Sequence, residues 1–137
     1  MQKIEQKKER FQYWLFKMDD ILENFISKFE KENLILDYSI ASLNALENLI
    51  LQSFDDIEAI KEEKNSAFYD ELARYVGETF RKNLGGKWKL DYENVDSPYY
   101  NLPILDYPTP ICPHKLVTAC IARKKGTFLS TILTTNL

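Results

Sequence analysis

The sequence predicts a single α+β domain that is mostly helical, with a long N-terminal helix and a small antiparallel β-hairpin after the third helix. Three observations lead to this prediction. The length of 137 residues suits one domain. Apolar side chains recur at helical spacing over most of the chain. One short stretch near residue 88 instead alternates charged and apolar residues, which is typical of a strand with one solvent-exposed face.

The first predicted helix extends from about Lys3 to Lys31. The apolar residues of one face are Phe11, Trp14, Leu15, Met18, Ile21, Leu22, Phe25, Ile26 and Phe29. Such a stripe is most often part of a core, but a helix of this length can also overhang its domain. Two roles therefore follow for residues 1–32: a part of the core, or a peripheral helix through which the chain forms a homodimer.

Two further helices are predicted before the hairpin. Ser39 is the expected N-cap of the first, because its hydroxyl can accept a hydrogen bond from an unpaired backbone N–H. The next begins at Asn65 or Ser66 and ends at Gly85, since glycine tolerates the left-handed backbone that stops a helix. Between these helices, residues 55–64 are rich in acidic side chains, which indicates a solvated loop or helical turn, or an acidic patch for a basic partner.

The predicted hairpin consists of residues 87–92 and residues 101–105. Trp88 begins the apolar side of the first strand, and Pro103 places the second strand at an edge because proline cannot donate a ladder hydrogen bond. A proline-rich loop follows, and a further helix is predicted from His114 to Lys124. The last element, residues 127–133, has the β-branched residues of a strand and the length of a short helix, and we favour a helix.

The bulk composition narrows the functional classes. The 18 basic and 21 acidic residues give a net charge of −3, too mild and too mixed to favour a nucleic acid or an anionic membrane. No apolar run approaches the roughly 20 residues that span a bilayer. The N-terminal sequence lacks the apolar core of a signal peptide. We therefore expect a cytoplasmic protein with neither a membrane nor a nucleic-acid partner.

Few residues could carry metal or nucleophilic chemistry. Cys112, His114 and Cys120 offer at most three ligands at an unusual spacing, whereas a zinc site needs three or four. A nucleophilic pair of Cys112 and His114 would need an orienting group, and the neighbouring sequence supplies none. There is no phosphate-binding glycine loop. We expect no metal and no cofactor.

The third helix carries a row of charges and one glycine. Glu71, Arg74, Glu78 and Arg81 are spaced as mutual salt bridges on one helix face. Gly77 lies between them, although glycine inside a helix costs about 1 kcal/mol relative to alanine. Its presence indicates that another element packs closely there. The alternative is that it leaves room for a ligand beside Glu78.

Two surface features suit a protein partner. Several tyrosines surround the predicted strands, and tyrosine buries area at interfaces with little loss of entropy. The acidic stretch before the third helix is the second feature. The predicted partner-binding residues are Asp55, Asp56, Glu58, Tyr99 and Tyr100.

A set of short motifs carries a family resemblance. The motifs are Leu36-Asp-Tyr-Ser39, Ser42-Leu43, Leu46-Glu47, Tyr75-Val-Gly-Glu78 and Leu84-Gly-Gly-Lys-Trp88, followed by a proline-bearing strand. This combination resembles a bacterial family of small proteins, some of whose members are similar to immunity proteins encoded beside toxins. The resemblance covers residues 36–133 and leaves the long N-terminal helix outside. It assigns no catalytic residue.

The sequence thus predicts a non-enzymatic, cytoplasmic protein-binding module, of the immunity type, that neutralises a partner toxin. The alternative is a small-molecule-binding protein or an enzyme with a pocket near Gly77. In that case Glu78, Arg81 and Trp88 would contact the ligand, since a carboxylate, a guanidinium and an aromatic ring together suit a polar site with an apolar wall.

Overall fold

The computed structural model describes residues 4–137, so the predicted helix start at Lys3 lies outside the described residues. The elements of this part of the chain are α1 (Ile4–Phe16), α2 (Met18–Glu30), α3 (Ile40–Ser53), α4 (Ile57–Lys61), α5 (Ser66–Leu84), β1 (Trp88–Leu90), β2 (Pro103–Leu105), α6 (Pro113–Arg123) and α7 (Phe128–Thr135). The predicted class, a mostly helical α+β domain with a small antiparallel hairpin, is confirmed.

The single N-terminal helix expected from the sequence is two helices, α1 and α2. Helical hydrogen bonding continues across the junction, because the N–H of Lys17 donates to the carbonyl of Tyr13 at 3.1 Å and its carbonyl accepts from Ile21 at 3.0 Å. The ψ angle of Lys17 is nevertheless −2°, far from the roughly −42° of a regular helix. α2 buries four apolar side chains in the core, whereas α1 has no buried residue.

α5 is the central helix of the fold. Nine consecutive residues, Leu72 to Phe80, are buried. A helix packed on one side buries only every third or fourth residue, so α5 is covered all round. It contacts α2, α3, α4, α6, α7 and β2, and its mid-section therefore meets almost every other part of the domain.

Side-chain hydrogen bonds fix the start of α3 against α5. The Ser39 hydroxyl accepts from the N–H of Ser42 at 3.1 Å, as the N-cap prediction requires. The buried Tyr75 hydroxyl of α5 accepts from the N–H of Tyr38 at 2.9 Å and lies 2.7 Å from the Ser42 hydroxyl. The tyrosine therefore anchors the loop before α3 as well as filling the core.

The hairpin is shorter than its sequence pattern. Trp88 pairs with Leu105 and Leu90 with Pro103 in antiparallel register. The predicted first strand continued to Tyr92, but the Asp91 carboxylate accepts from the backbone N–H groups of residues 93 and 94 at 3.2 and 3.1 Å. These bonds turn the chain away from the ladder.

The remaining elements close the domain. The acidic stretch contains α4, whose N-cap Asp56 accepts from the N–H of Ala59 at 2.9 Å, followed by a 3₁₀ turn, Glu63–Asn65. α6 begins at Pro113, and the last element is the helix α7, which we favoured over a strand. Among residues 4–137, no helix combines the length and apolarity that crossing a bilayer requires.

Candidate functional site

Gly77 lies directly beneath the indole of Trp88. A Cβ atom added at this position would lie 2.0 Å from Cη2 of Trp88 and 2.9 Å from Cγ of Pro113. Both distances are shorter than any carbon–carbon contact, so the indole packs against α5 only because residue 77 lacks a side chain. This contact supplies the close approach that the glycine indicated.

Glu78 and Arg81 form the ion pair that their spacing predicted. Nε of Arg81 donates to Oε2 of Glu78 at 2.8 Å, and Nε1 of Trp88 is 3.3 Å from Oε1. The Glu78 side chain is only 8% exposed. Both carboxylate oxygens therefore have a partner within the chain, as the burial of a charged group requires.

A cavity of about 320 Å³ lies beside this pair. The residues around it are Leu15, Met18, Asp19, Glu78, Arg81, Gly86, Lys87 and Trp88. The structure thus brings together all three residues for which we predicted a ligand-binding role. Because Arg81 already neutralises Glu78, an ionic ligand would have to displace or bridge an existing pair, and the ligand-binding role stays a prediction.

The predicted partner of Arg74 was wrong. Arg74 pairs with Asp70, with 2.6 Å between Nε and Oδ2, rather than with Glu71. Its Nη1 donates to the carbonyl of Trp14 at 2.7 Å, and the guanidinium lies 4.2 Å from the centroid of the Trp14 ring. Arg74 is 3% exposed. Trp14 of α1 contacts both Arg74 and Asp70. Because its carbonyl and ring hold the guanidinium on this side of α5, the arginine pairs with Asp70.

Asp70 joins three elements and was not among the predicted site residues. It accepts from the Trp14 indole N–H of α1 at 2.8 Å and pairs with Arg74. Nε2 of His114 in α6 lies 3.9 Å from its Oδ1. Burial alone would raise the pKa of the carboxyl, but the His114 ring, the arginine and the indole together lower it to about 2. Only the i, i+4 spacing to Arg74 could have indicated this residue.

The two cysteines and the histidine do not assemble a nucleophile. Cys112 and Cys120 are both buried and unpaired. Burial raises the pKa of Cys112, and raises that of Cys120 to about 12, which keeps both thiols protonated. Nδ1 of His114 is buried without a hydrogen-bond partner among residues 4–137, so it makes no hydrogen bond with the Cys112 sulfur. Asp70 supplies the neighbour for His114 that the local sequence lacked.

The residues predicted to bind a partner lie on different elements. Asp55, Asp56 and Glu58 are exposed at α4, where Asp56 is also a helix cap and the carbonyl of Asp55 accepts from Lys124. Tyr99 and Tyr100 are half-buried in the loop between the strands. The Tyr100 hydroxyl accepts a hydrogen bond from Lys7 of α1. The tyrosine loop is therefore joined to the N-terminal helix.

An exposed aromatic pair on α1 was missed by the sequence reasoning. Phe16 is 78% exposed and Tyr13 is 64% exposed. They lie three residues apart on one face of the helix. The same face carries Gln6, Glu9 and Arg10, and these three residues line a groove together with Tyr13. Neither aromatic belongs to the apolar stripe of the predicted helix. Their position outside the stripe could have indicated that they are exposed.

The comparisons with known proteins identify no relative: neither a protein-family model, nor a curated protein, nor a solved structure matches the chain. The family resemblance of residues 36–133 therefore stays a prediction. Among residues 4–137, no group of three or more histidine, cysteine or acidic side chains is arranged to hold a metal ion.

Proposed function

We propose that this chain is a protein-binding module, of the immunity type, that neutralises a partner protein by covering it with the α1 outer face. This face is defined by Gln6, Glu9, Arg10, Tyr13 and Phe16. The observation that carries the proposal is the exposure of Phe16 and Tyr13. Aromatic side chains with a polar surround are the anchors of protein interfaces.

The other side of α1 explains why these two aromatics point outward. Phe11 and Trp14 stack with ring centroids 6.1 Å apart, and Trp14 meets Trp88 edge-on at 4.9 Å. The helix thus already has an apolar contact with the domain. Burying a phenylalanine side chain contributes about 1.5–3 kcal/mol, so leaving Phe16 in water forgoes stability that a partner could recover.

The tyrosine loop meets α1 on the side opposite Phe16, because Lys7 and Phe16 are nine residues apart on the helix. Lys7 links α1 to Tyr100 by a hydrogen bond and lies 4.5 Å from the centroid of its ring. We therefore propose Tyr99 and Tyr100 as a contact of the partner separate from the one centred on Phe16. Asp55, Asp56 and Glu58 belong to α4, and we propose them as a second, separate acidic contact for a basic region of the partner.

Co-expression with the product of each flanking gene tests the proposal. We expect one such product to be toxic alone, to be tolerated with this chain and to co-purify with it. Phe16→Ala should weaken binding by about thirtyfold, the size of a hot-spot substitution of 2 kcal/mol. Ile35→Ala is the matched control, because Ile35 is also an exposed apolar residue but lies in the connection between α2 and α3.

Two results would reject the immunity-type proposal. One is that no flanking product is both toxic and bound. The other is a homodimer in light scattering that Phe16→Ala converts to a monomer, with no second protein bound. The α1 outer face would then be the surface of self-association that the N-terminal helix also suggested.

The cavity beside Trp88 supports a second candidate, a small-molecule-binding protein or enzyme. The supporting observation is that Glu78, Arg81 and Trp88 line the same cavity of about 320 Å³. A ligand there should move the NMR resonance of the Trp88 indole N–H in a screen of metabolites. Arg81→Met should abolish that change and Lys82→Met, an exposed neighbour on α5, should not. If no metabolite moves the resonance, this candidate is rejected.

A further inference from the structure

We propose that a cleft between α1 and the hairpin binds a small organic carboxylate with an aromatic or branched apolar body. The cleft encloses about 270 Å³ and is bordered by α1, by the loop and strand around Pro103, and by His114 at the start of α6. It lies on the inner side of α1, whereas the proposed partner surface is the outer side. Arg10 borders both sides, so the proposals are distinguished by Phe16 on the outer side and Lys7 on the inner side.

The charged groups of the cleft are of one sign. Lys7 and Arg10 line it from successive turns of α1, and Asn101 and His114 are the other polar residues along its wall. None of the described residues that line it carries a carboxylate. Asp70 lies behind two of the lining residues, Trp14 and His114, and already pairs with Arg74. A cleft with this charge attracts an anion.

Lys7 is positioned to meet the anionic group. Its ammonium donates to the Tyr100 hydroxyl and lies against the ring of that residue. Both contacts are with a neutral group, so they orient the ammonium without compensating its charge. A lysine ammonium has three N–H donors, and two remain for a carboxylate in the cleft.

His114 also lines the cleft. Its Nδ1 is buried and has no hydrogen-bond partner among residues 4–137. A buried polar atom without a partner costs about 1–3 kcal/mol, and such atoms are rare in folded proteins. The His114 ring, which borders the cleft, is thus not fully satisfied by hydrogen bonds from the described residues.

The apolar walls and the volume define the rest of the ligand. Phe11, Trp14 and Leu102 line the cleft, so its body is aromatic and aliphatic. The volume of about 270 Å³ lies just below the roughly 300–1,000 Å³ of pockets for drug-sized molecules. A ligand with one carboxylate and a single ring or branched chain fits this combination, whereas inorganic phosphate would leave the walls uncovered.

The probe is phenylacetate, compared by NMR titration with its neutral analogue phenylacetamide and with inorganic phosphate. We expect phenylacetate to move the backbone resonances of residues 7–14 and 101–103, with phenylacetamide and phosphate binding at least about tenfold more weakly, a difference of 1.4 kcal/mol. The proposal is overturned if phenylacetate moves no resonance at 10 mM or if phenylacetamide binds equally well.

Three variants locate the site. Lys7→Met should weaken phenylacetate binding by about tenfold, and Lys8→Met should leave it unchanged, because Lys8 lies over Tyr92 on another side of α1. Leu102→Trp should fill the cleft and abolish binding while the circular dichroism spectrum is retained. Equal binding by the Lys7 and Lys8 variants, or normal binding by a folded Leu102→Trp variant, would overturn the proposal.

Discussion

At the scale of single residues, the contact between Gly77 and Trp88 decides how the hairpin lies on α5. The indole occupies the space where any other residue at position 77 would place its Cβ. Its N–H reaches the Glu78 carboxylate, which Arg81 holds from the other side. The short segment from Gly77 to Trp88 therefore contains a packing contact and an ion pair that depend on the same ring.

Gly77→Ala should destabilise the protein. The new methyl group would overlap the indole, and overpacking of a core costs about 1–3 kcal/mol. The better helix propensity of alanine offsets about 1 kcal/mol. Because the overlap with the indole is as close as 2.0 Å, we expect the upper end of that cost and a net loss of up to about 2 kcal/mol in urea unfolding followed by circular dichroism.

The control is the same substitution in a Trp88→Leu background. There the overlap with Cη2 and Cζ2 of the indole is absent and only Pro113 remains close. Gly77→Ala should then change the free energy of unfolding by less than half as much. An equal loss in both backgrounds would show that the glycine is needed for a reason other than Trp88.

Residue-level pairing could be predicted only where a single partner was available. The Glu78–Arg81 pair follows from their spacing on α5, and it is present. Arg74 had three acids at suitable spacing, Asp70, Glu71 and Glu78. Its choice depends on Trp14, which comes from a distant part of the chain. Local spacing contains no information about that contact.

At the scale of elements, α7 is held by a buried acid of α3. Both oxygens of Glu47 accept from backbone N–H groups at the start of α7, from Phe128 at 3.0 Å and from Leu129 at 2.8 Å. The first N–H groups of a helix lack partners within it and carry partial positive charge. Glu47 therefore acts as an N-terminal cap for a helix that begins far along the chain.

Glu47→Gln should loosen α7. An amide has one acceptor oxygen, so one of the two N–H groups loses its partner inside the core, a loss of about 1–3 kcal/mol. Hydrogen exchange of residues 128–135 should accelerate, and the free energy of unfolding should fall. The matched control is Glu58→Gln on the exposed surface of α4, which should leave both quantities unchanged. If α7 exchanges equally slowly in the two variants, Glu47 does not cap it.

Element boundaries were predictable where the chain carries a local stop. Ser39 is the N-cap of α3, as predicted. Gly85 follows the last residue of α5 and has a φ of 91°, a positive value that glycine tolerates. The division at Lys17 was not predictable, because the apolar spacing continues through it. The end of β1 was also missed, since it depends on the hydrogen bonds of Asp91 with the following turn.

At the scale of the whole molecule, Asp70 ties the N-terminal helix to the domain. It contacts Trp14 of α1 and Arg74 of α5, with His114 of α6 close by. Since α1 has no buried residue, these polar contacts and the Trp14 ring hold it together with the contact of Lys7 with Tyr100. The junction of three elements could not be located from the sequence, because its members are far apart along the chain.

This junction predicts a component of acid unfolding. The pKa of Asp70 is lowered from 3.8 to about 2 in the folded protein, so the folded state favours the ionised carboxylate. The resulting stability is present above pH 4 and is lost as the pH falls from about 4 to about 2. Because the side chain is 32% exposed, it amounts to at most about 2 kcal/mol.

Asp70→Asn should be less stable than the unsubstituted protein at pH 7, and the difference should shrink as the pH falls to 2. Urea unfolding at several pH values between 2 and 7 measures it. Asp20→Asn, at an exposed position of α2, is the control and should follow the unsubstituted protein. A difference between Asp70→Asn and the unsubstituted protein that does not vary with pH would contradict the lowered pKa.

The edge-on contact of Trp14 with Trp88 has a practical consequence. These are the two tryptophans of the sequence, and their ring centroids lie 4.9 Å apart at the boundary between α1 and the hairpin. Intrinsic fluorescence excited at the indole band therefore originates entirely from this boundary and not from the helices around α5. The emission spectrum therefore reports whether α1 is packed against the hairpin, and no dye has to be attached.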